Sequence, residues 1–461
     1  MKQPAMTQPE LKHGISHAAA CADRAPALAW RAARAMRTTT WLEAMTLLMF
    51  GPLAFGAVQS WSMFVLQMGA AALLITWGAA QQLEPQMTLR FTGAMVPLCG
   101  FVLLVAAQAC GLSSDVYQTR IELLNLIPGL IIFLVFSQCL PNDKECKRIS
   151  YAFAAYGFLV SLFAMVQQLA GNGKLYWIVP LHQGGTPFGS YVNRSHYAGL
   201  MEMLFPLAFT VVLNRNVSDV GRGLCAMSSV AMAASVLLSQ SRGGVASLCI
   251  EGLVLLVFVY GREKSWGSSL PIALLLLLLA AALFVWLGPL PTLRRFETPS
   301  DPIRLQVLRD SVRMFLVHPF LGWGLGTFPD MYPQFQTFFT SKQVNHAHND
   351  YLETLLDTGI LGAGLAWAFL AQVLRRGWRH LDAWERKSTH SLRLGAAIGC
   401  IGLLVHSAFD FNLHIPSNAM MFFFLCALMA TPPRERDGMV DGQEELALAH
   451  THQRTANDFG S

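Results

Sequence analysis

Charged residues are scarce in this sequence. They make up 13% of its 461 residues, whereas a soluble domain carries roughly a quarter. Hydrophobic residues account for 53%, and the mean hydropathy is +0.41. This balance excludes an ordinary soluble domain and predicts many membrane spans. The net charge of +5 is too small to indicate a nucleic-acid partner.

Several chemical signatures are also missing. The nine cysteines are scattered, mostly within apolar runs, and form neither a CxxC pair nor a metal-binding spacing. We therefore expect no disulfide framework. The sequence has no P-loop or Rossmann glycine pattern, so we expect no bound nucleotide and predict no cofactor. Residues 1–40 lack a short apolar core followed by a cleavage site, and we expect no cleaved signal peptide.

Long apolar runs are abundant. A transmembrane helix needs about 20 largely apolar residues, and about twelve runs approach that length. They lie near 41–57, 61–80, 91–111, 121–140, 149–169, 196–213, 223–239, 243–260, 270–288, 351–374, 394–411 and 416–431. The sequence therefore predicts an all-α fold, a polytopic membrane helix bundle of about twelve transmembrane helices. If the two apolar runs on either side of 57–61 or 240–243 formed one span, the orientation of every later segment would be reversed.

Positive charge predicts the orientation, because cytoplasmic loops carry an excess of lysine and arginine. With a cytoplasmic N terminus, the inside intervals hold most of these residues, and the C terminus is cytoplasmic too. The short outside loops hold only Arg120, Lys174, Arg194 and Arg242. We therefore predict a cytoplasmic tail at 1–40, a transmembrane domain at 41–431 and a cytoplasmic tail at 432–461. The long interval 289–350 becomes an outside loop that contains amphipathic helices.

Arg194 and Arg242 lie on the outside, where positive charge is disfavoured. One interpretation is an anion site, because guanidinium groups grip phosphate oxygens bidentately. The glycines after Arg242 would then let backbone N–H groups approach a phosphate at a helix N terminus. The alternative is an interfacial anchor whose charge reaches the lipid headgroups.

The segment 345–351 (NHAHNDY) concentrates titratable groups at a predicted membrane boundary. His346 and His348 could form a metal pair, but no cluster of further cysteines or histidines accompanies them, and zinc needs four ligands. A general base is the simpler interpretation, because neutral imidazole accepts a proton near pH 7. Asn349 or Asp350 could instead only cap the helix that follows.

Two further groups of residues complete the candidates. Asp410 ends an apolar run, where a carboxylate is costly and tends to pair; it could orient an arginine or a histidine, or form a structural salt bridge. Interval 301–320 has apolar residues at helical spacing with Arg304 and Arg309 between them, a pattern typical of a helix at a bilayer surface. We expect His196, His318 and His414 to be interfacial, and Glu202 and Glu251 to be buried and hydrogen-bonded.

These motifs resemble, in order and spacing, the O-antigen ligase and polymerase superfamily of bacterial membrane glycosyltransferases. The resemblance covers roughly residues 190–430. The matching stretches are 239–244 (SQSRGG), 318–328 (HPFLGWGLGTF), 346–352 (HAHNDYL) and 357–362 (DTGILG). Segments 188–199 (FGSYVNRSHYAG) and 406–416 resemble a branch found with exopolysaccharide loci.

The resemblance implies glycosyl transfer on the periplasmic face of the bacterial inner membrane. The donor would be a glycan linked to undecaprenyl diphosphate. The acceptor would be a lipid A-core sugar in a ligase, or another lipid-linked repeat in a polymerase. It also implies that Arg242 and Arg194 bind the diphosphate and that His348, or else His346, is the base, without a metal.

The family's further basic residues in the long loop would correspond to Arg304 and Arg309, and we expect these two arginines, together with Asn349 beside the base, to bind substrate. We expect inversion at the anomeric carbon, because a single displacement inverts it. A lipid-linked glycan transporter is the remaining alternative. It would place its charges along a pathway at the membrane midplane rather than at one face.

Overall fold

The computed structural model describes residues 32–431 apart from 34, 84–88, 139–141, 182–184, 263–301, 341–342, 380 and 382–383. The described chain is helical, with three isolated bridges in its turns. Its helices are α1 at 35–53, α2 Ser60–Gln82, α3 Met95–Ala107, α4 Val116–Gln138, α5 Asp143–Leu169, α6 Arg194–Val212, α7 Asp219–Ser239, α8 Arg242–Arg262, α9 Pro302–Val317, α10 Phe328–Met331, α11 Asp350–Arg379, α12 Ser388–His406 and α13 Pro416–Ala430.

Eight of the described helices are long and apolar enough to cross a membrane. This confirms an all-α, polytopic membrane protein. The count of twelve stays a prediction, since the run at 270–288 lies outside the described residues. The separation at 240–243 is present, because Gln240 adopts a left-handed conformation with φ 57° and ends α7 before α8 begins.

Hydrogen bonds between the helix ends divide them into two sets. One end of the bundle carries His346 and His348, and we call it the histidine end. There the Tyr176 hydroxyl donates to the Leu53 carbonyl, and Ser114 N–H donates to the Trp323 carbonyl. At the opposite end, Arg215 N–H donates to the Glu385 carbonyl. Successive helices alternate between these two ends, which is the pattern of an antiparallel bundle that crosses a membrane repeatedly.

Helix α11 is interrupted at Gly359, where φ is 64° and ψ −171°. The chain before the interruption bonds to the glycine-rich turn at 322–326. The N–H groups of Trp323 and Gly324 donate to the carbonyls of Leu356 and Asp357, at 2.8 and 3.0 Å. Beyond the interruption, Ile360 N–H donates to the Pro319 carbonyl at 2.8 Å. The turn therefore supplies the hydrogen bonds that the interrupted helix cannot make for itself.

Helix α9 confirms the predicted helix at 301–320, and the residues that it buries against the protein lie outside the predicted apolar stripe. Val307 and Met314 are buried against the turn, together with the carboxylate of Asp310. That carboxylate accepts hydrogen bonds from the backbone and hydroxyl of Thr337. Most of the apolar stripe that the spacing selected is exposed, including Ile303, Leu305, Val312 and Leu316. An exposed apolar stripe beside arginines suits a position at the bilayer surface.

The interruption gives a stability prediction for Gly359→Ala. A β-carbon there would lie 2.2 Å from the Phe320 carbonyl oxygen, and alanine disfavours a positive φ. We expect a loss of roughly 1–3 kcal/mol of stability, seen as a lower thermal unfolding midpoint in detergent. Gly364→Ala is the matched control, because a β-carbon there meets nothing within 4 Å. Equal midpoints for the two variants would contradict this account.

Candidate functional site

His348 pairs with Asp410 at the histidine end. Its Nδ1 lies 3.2 Å from Asp410 Oδ1, and because the carboxylate can only accept, Nδ1 carries the hydrogen. The His348 side chain is 30% exposed, whereas that of Asp410 is 3% exposed. His348 also has a positive φ of 53°, which few non-glycine residues adopt. The buried carboxylate therefore fixes one imidazole nitrogen and leaves the other for a partner.

The start of α11 is bound to the segment 407–414, which follows α12. Asn349 Oδ1 accepts from Leu352 N–H and caps the helix, while its amide group donates to the Ala408 carbonyl. Asp350 N–H donates to the Ser407 carbonyl at 2.9 Å, and its carboxylate accepts from Leu413 N–H. These bonds hold His348 in place against Asp410. Both ends of the Asn349 amide have intramolecular partners, which favours a positioning role.

A second cluster forms around Glu353. His346 Nδ1 lies 2.7 Å from Glu353 Oε1, and His414 Nε2 lies 3.4 Å from the same oxygen. The other oxygen of Glu353 accepts from Ala347 N–H, and His414 Nδ1 pairs with Asp350 Oδ1 at 2.8 Å. His346 therefore does have partners of the type that bind metals, but His348 is not one of them. The ligand atoms of His346, Glu353 and His414 all lie within 4.8 Å of one another.

The ring of Phe411 separates the two histidines of the motif. It stacks on His346, with ring centroids 3.9 Å apart, and meets His348 edge-on at 5.1 Å. His196 packs against the same ring at 4.6 Å, and its Nε2 lies 3.9 Å from Asp410 Oδ1. The expectation that His196 is interfacial is therefore wrong, because it is buried inside this site. His414 is half-buried beside its two carboxylate partners, with 19% of its side chain exposed.

Arg194 and Arg242 are the first residues of α6 and α8, and both are half-buried. Arg194 Nη1 approaches Gln240 Oε1 at 3.4 Å, which brings the two helix starts together. Since His196 follows in the first turn of α6, this pair of helix starts also adjoins Asp410. The N–H groups of each first turn and the guanidinium charge favour an anion here.

Gly243 and Gly244 have a packing role that differs from the predicted one. A β-carbon on Gly243 would lie 2.4 Å from the ring of His406, and one on Gly244 would lie 2.7 Å from Ala198. Both glycines therefore allow α8 to approach its neighbours closely. His406 in turn pairs with the buried carboxylate of Glu202 at 2.9 Å. Glu202 is hydrogen-bonded as expected, whereas Glu251 is buried without a hydrogen-bonded partner among the described residues.

Arg304 and Arg309 lie apart from this arrangement. Both are exposed on α9. Within the described part of the chain, no hydrogen bond or ion pair joins either residue to the histidines or to Arg194 and Arg242. The structure therefore brings together Arg194, Arg242, His346, His348 and Asp410, with Asn349 beside them, and leaves the two α9 arginines on the surface.

Sequence reasoning missed Glu353 and Phe411 and undervalued His414. A signal for Glu353 was present, since Asp350, Glu353 and Asp357 recur at helical spacing within an apolar helix. Intramembrane carboxylates at such spacing share a face and tend to have partners. No sequence pattern linked this face to His414, which lies more than sixty residues further along the chain.

The charges of the site are set by these pairs. Burial raises the pKa of Asp410, but the hydrogen bond from His348 and the nearby His196 and His406 outweigh it, so the pKa lies well below its usual range. Burial lowers the pKa of His414, but Glu353 and the Asp350 partner raise it to about 10. Asp410 is therefore ionised, and His414 holds a proton when nothing else neutralises its carboxylates.

Asp410→Asn provides a pH test. The unfolded chain titrates near its reference pKa of about 3.9, and the folded value is lower. The carboxylate thus contributes stability above about pH 4, which is lost as the pH falls through the folded pKa. We expect the gap in thermal unfolding midpoint between the native protein and Asp410→Asn to shrink with acidification. The exposed Asp330→Asn is the control, and a gap that widens in acid would contradict the assignment.

Comparison with known proteins identifies a family for part of the chain. Residues 227–368 match the family model described as O-antigen ligase. A search of curated proteins found no match to the chain. The matched region contains Arg242 and the segment 346–350, whereas Arg194 and Asp410 lie outside it. The match covers less than half of the chain and supports the O-antigen ligase superfamily, whose members are membrane enzymes of the ligase and polymerase type. Together with the eight apolar helices, it indicates a multi-pass membrane protein.

Proposed function

We propose that this protein transfers a glycan from undecaprenyl diphosphate to an acceptor hydroxyl, as an O-antigen ligase does. The observation that carries the proposal is the convergence at one end of the bundle. A histidine oriented by a buried aspartate lies beside two helix starts that each begin with arginine. The histidine–aspartate pair suits proton abstraction, and the two helix starts with their arginines suit the binding of a diphosphate.

His348 acts as the general base. Its Nδ1–H is held by Asp410, so Nε2 presents a lone pair to the acceptor hydroxyl. As the hydroxyl oxygen bonds to the anomeric carbon, its proton passes to Nε2 and the bond from that carbon to the phosphate oxygen breaks. The electron pair of that bond leaves with undecaprenyl diphosphate. This single displacement inverts the anomeric carbon, and Asp410 stabilises the imidazolium that forms.

Arg242 and Arg194 hold the donor diphosphate. Fixed cationic groups near a departing diphosphate stabilise the charge that develops on it. The helix N termini of α6 and α8 add partial positive charge at the same place. Because these groups neutralise the leaving group, the displacement itself needs no divalent cation. Arg304 and Arg309 would contact the acceptor or the lipid headgroups from the surface of α9.

The proposed location is the bacterial inner membrane, with both termini cytoplasmic and the site periplasmic. The charge distribution between the two ends of the bundle supports it. Described arginines and lysines are frequent at the ends opposite the histidines, for example Arg148, Arg215 and Arg376. In this arrangement 289–350 is the long periplasmic loop, and twelve spans return the chain to the cytoplasm.

A polymerase of the same superfamily is the alternative, since the same site could extend a lipid-linked repeat. The motif at 188–199 and the 406–416 segment favour it, because they resemble the exopolysaccharide-associated branch. Glycan ladders in a deletion strain distinguish the two. Loss of a ligase leaves lipid-linked polymer, whereas loss of a polymerase leaves single repeats on the acceptor. A transporter is disfavoured because the charges gather at one end of the bundle.

His348→Ala tests the proposed base. We expect the transfer rate in purified membranes to fall by roughly 10²–10⁴-fold, the usual contribution of a general base. Asp410→Asn should lower the rate less, and the double variant should be no slower than His348→Ala alone, because the two residues act as a unit. His390→Ala is the control, as this histidine lies at the opposite end of the bundle.

The donor site is tested in the same assay with Arg242→Ala. Loss of the guanidinium group should slow transfer, and Arg242→Lys should restore it only partly, because lysine lacks the bidentate geometry. Arg120→Ala is the matched control, since Arg120 is exposed at the same end and bonds to the Ala109 carbonyl. The proposal would be wrong if both His348→Ala and Arg242→Ala were inserted normally and transferred at the native rate.

A further inference from the structure

Beside His348 lies a cluster that the transfer reaction does not use. His346, Glu353 and His414 each offer one ligand atom, a nitrogen, an oxygen and a nitrogen, and all three atoms lie within 4.8 Å of one another. Glu353 is 1% exposed, whereas the His346 side chain is 28% exposed. The cluster is therefore a buried carboxylate with two imidazoles, open on one side.

We propose that this cluster binds a divalent transition metal, with Zn²⁺ as the preferred ion. Two imidazole nitrogens and one carboxylate oxygen form a donor set that zinc uses in sites with an open position. Imidazole favours zinc over magnesium and calcium, which prefer oxygen ligands. The remaining position would hold water or another small oxygen ligand from the exposed side of His346.

The spacing of the donors fits an ion with small adjustments. Bonds of about 2.1 Å at tetrahedral angles separate neighbouring donor atoms by about 3.4 Å. The His414 Nε2 to Glu353 Oε1 distance is already 3.4 Å. The His346 Nδ1 to Glu353 Oε1 distance is 2.7 Å and would widen by about 0.7 Å to reach that separation. His346 lies at the edge of the cluster and is the least buried of its members, so its ring can make that movement.

The groups behind the donors are arranged as in a metal site. His414 turns Nδ1 to the carboxylate of Asp350 at 2.8 Å, which leaves Nε2 for the ion. A carboxylate behind a ligating histidine fixes its tautomer and raises its basicity. The Glu353 oxygen that faces away from His346 accepts from Ala347 N–H at 3.0 Å. The carboxylates of Asp350 and Glu353 would balance the charge of a divalent ion.

The ion would anchor the loop that carries His348. It would join His346 of the loop to Glu353 of α11 and to His414 after α12. His346 is two residues before His348, the proposed base. Its role is therefore to position this loop rather than to take part in the displacement. The inference does not rest on the glycosyl transfer proposed above, because metal binding is measured without any glycan.

The experiment uses the full chain, purified in detergent through an affinity tag without histidines. After dialysis against metal-free buffer, elemental analysis should find about one Zn²⁺ per chain. Stripping with a chelator should lower the thermal unfolding midpoint, and added Zn²⁺ should restore it. Co²⁺ added to the stripped protein should give the visible absorption band of a four-coordinate site. These measurements need no variant, so misfolding of a variant cannot obscure them.

Variants then identify the ligands. Glu353→Gln keeps an acceptor for Ala347 N–H, and His346→Gln keeps a polar group on Phe411; each should weaken metal binding by about tenfold or more. His318→Gln, at an exposed histidine outside the cluster, should bind as the native protein does. The proposal is overturned if the native protein neither retains nor rebinds Zn²⁺. It is also overturned if Glu353→Gln and His346→Gln bind metal as tightly as the native chain.

Discussion

The docking of the α11 start onto the segment after α12 is the constraint on which the site depends. Asn349 and Asp350 bind this segment through backbone and side-chain hydrogen bonds. His348 precedes them in a left-handed conformation and thereby reaches Asp410. The histidine motif and the aspartate lie in two loops that are distant in the sequence, and this docking brings them together. On either side of the interruption at Gly359, hydrogen bonds to segment 319–324 hold α11 in place as well.

Four buried carboxylates at the histidine end are each paired with a histidine. Asp410, Glu353, Asp350 and Glu202 are almost fully buried, and each carboxylate faces a histidine. An unpaired carboxylate in such surroundings is strongly destabilising, which explains why the polar groups form pairs rather than single sites. The same pairing orients the rings. The same carboxylate–histidine contacts therefore stabilise the fold and orient the imidazole rings of the site.

Arg194 and Arg242 add positive charge at two helix N termini. Arg194 and Arg242 begin two helices whose starts meet through Gln240. Two guanidinium groups beside two helix N termini repel one another, and an anion bound there would compensate this charge. The glycines that follow Arg242 let α8 pack against His406 and Ala198. Close helix packing thus places the arginine near the histidine pairs.

The sequence predicted the helical membrane fold, the break at 240–243, the helix in the long interval and most members of the site. Apolar runs and charge bias suffice for these, because a lipid environment allows helices whose backbone groups are satisfied internally. It did not predict that Asp310 on α9 is buried, since this burial depends on hydrogen bonds from Thr337, which lies beyond the helix. Spacing within one helix gives no information about such a distant partner.

By itself, the sequence determined that the chain crosses a membrane many times and gathers histidine, arginine and aspartate at one side of it. Only the tertiary structure decided which histidine meets which carboxylate. His346 and His348 are two residues apart, yet a positive φ and the ring of Phe411 direct them to different partners. The physical reason is that Asp410 and His414 come from a segment some sixty residues away. Their positions depend on helix packing rather than on local pattern.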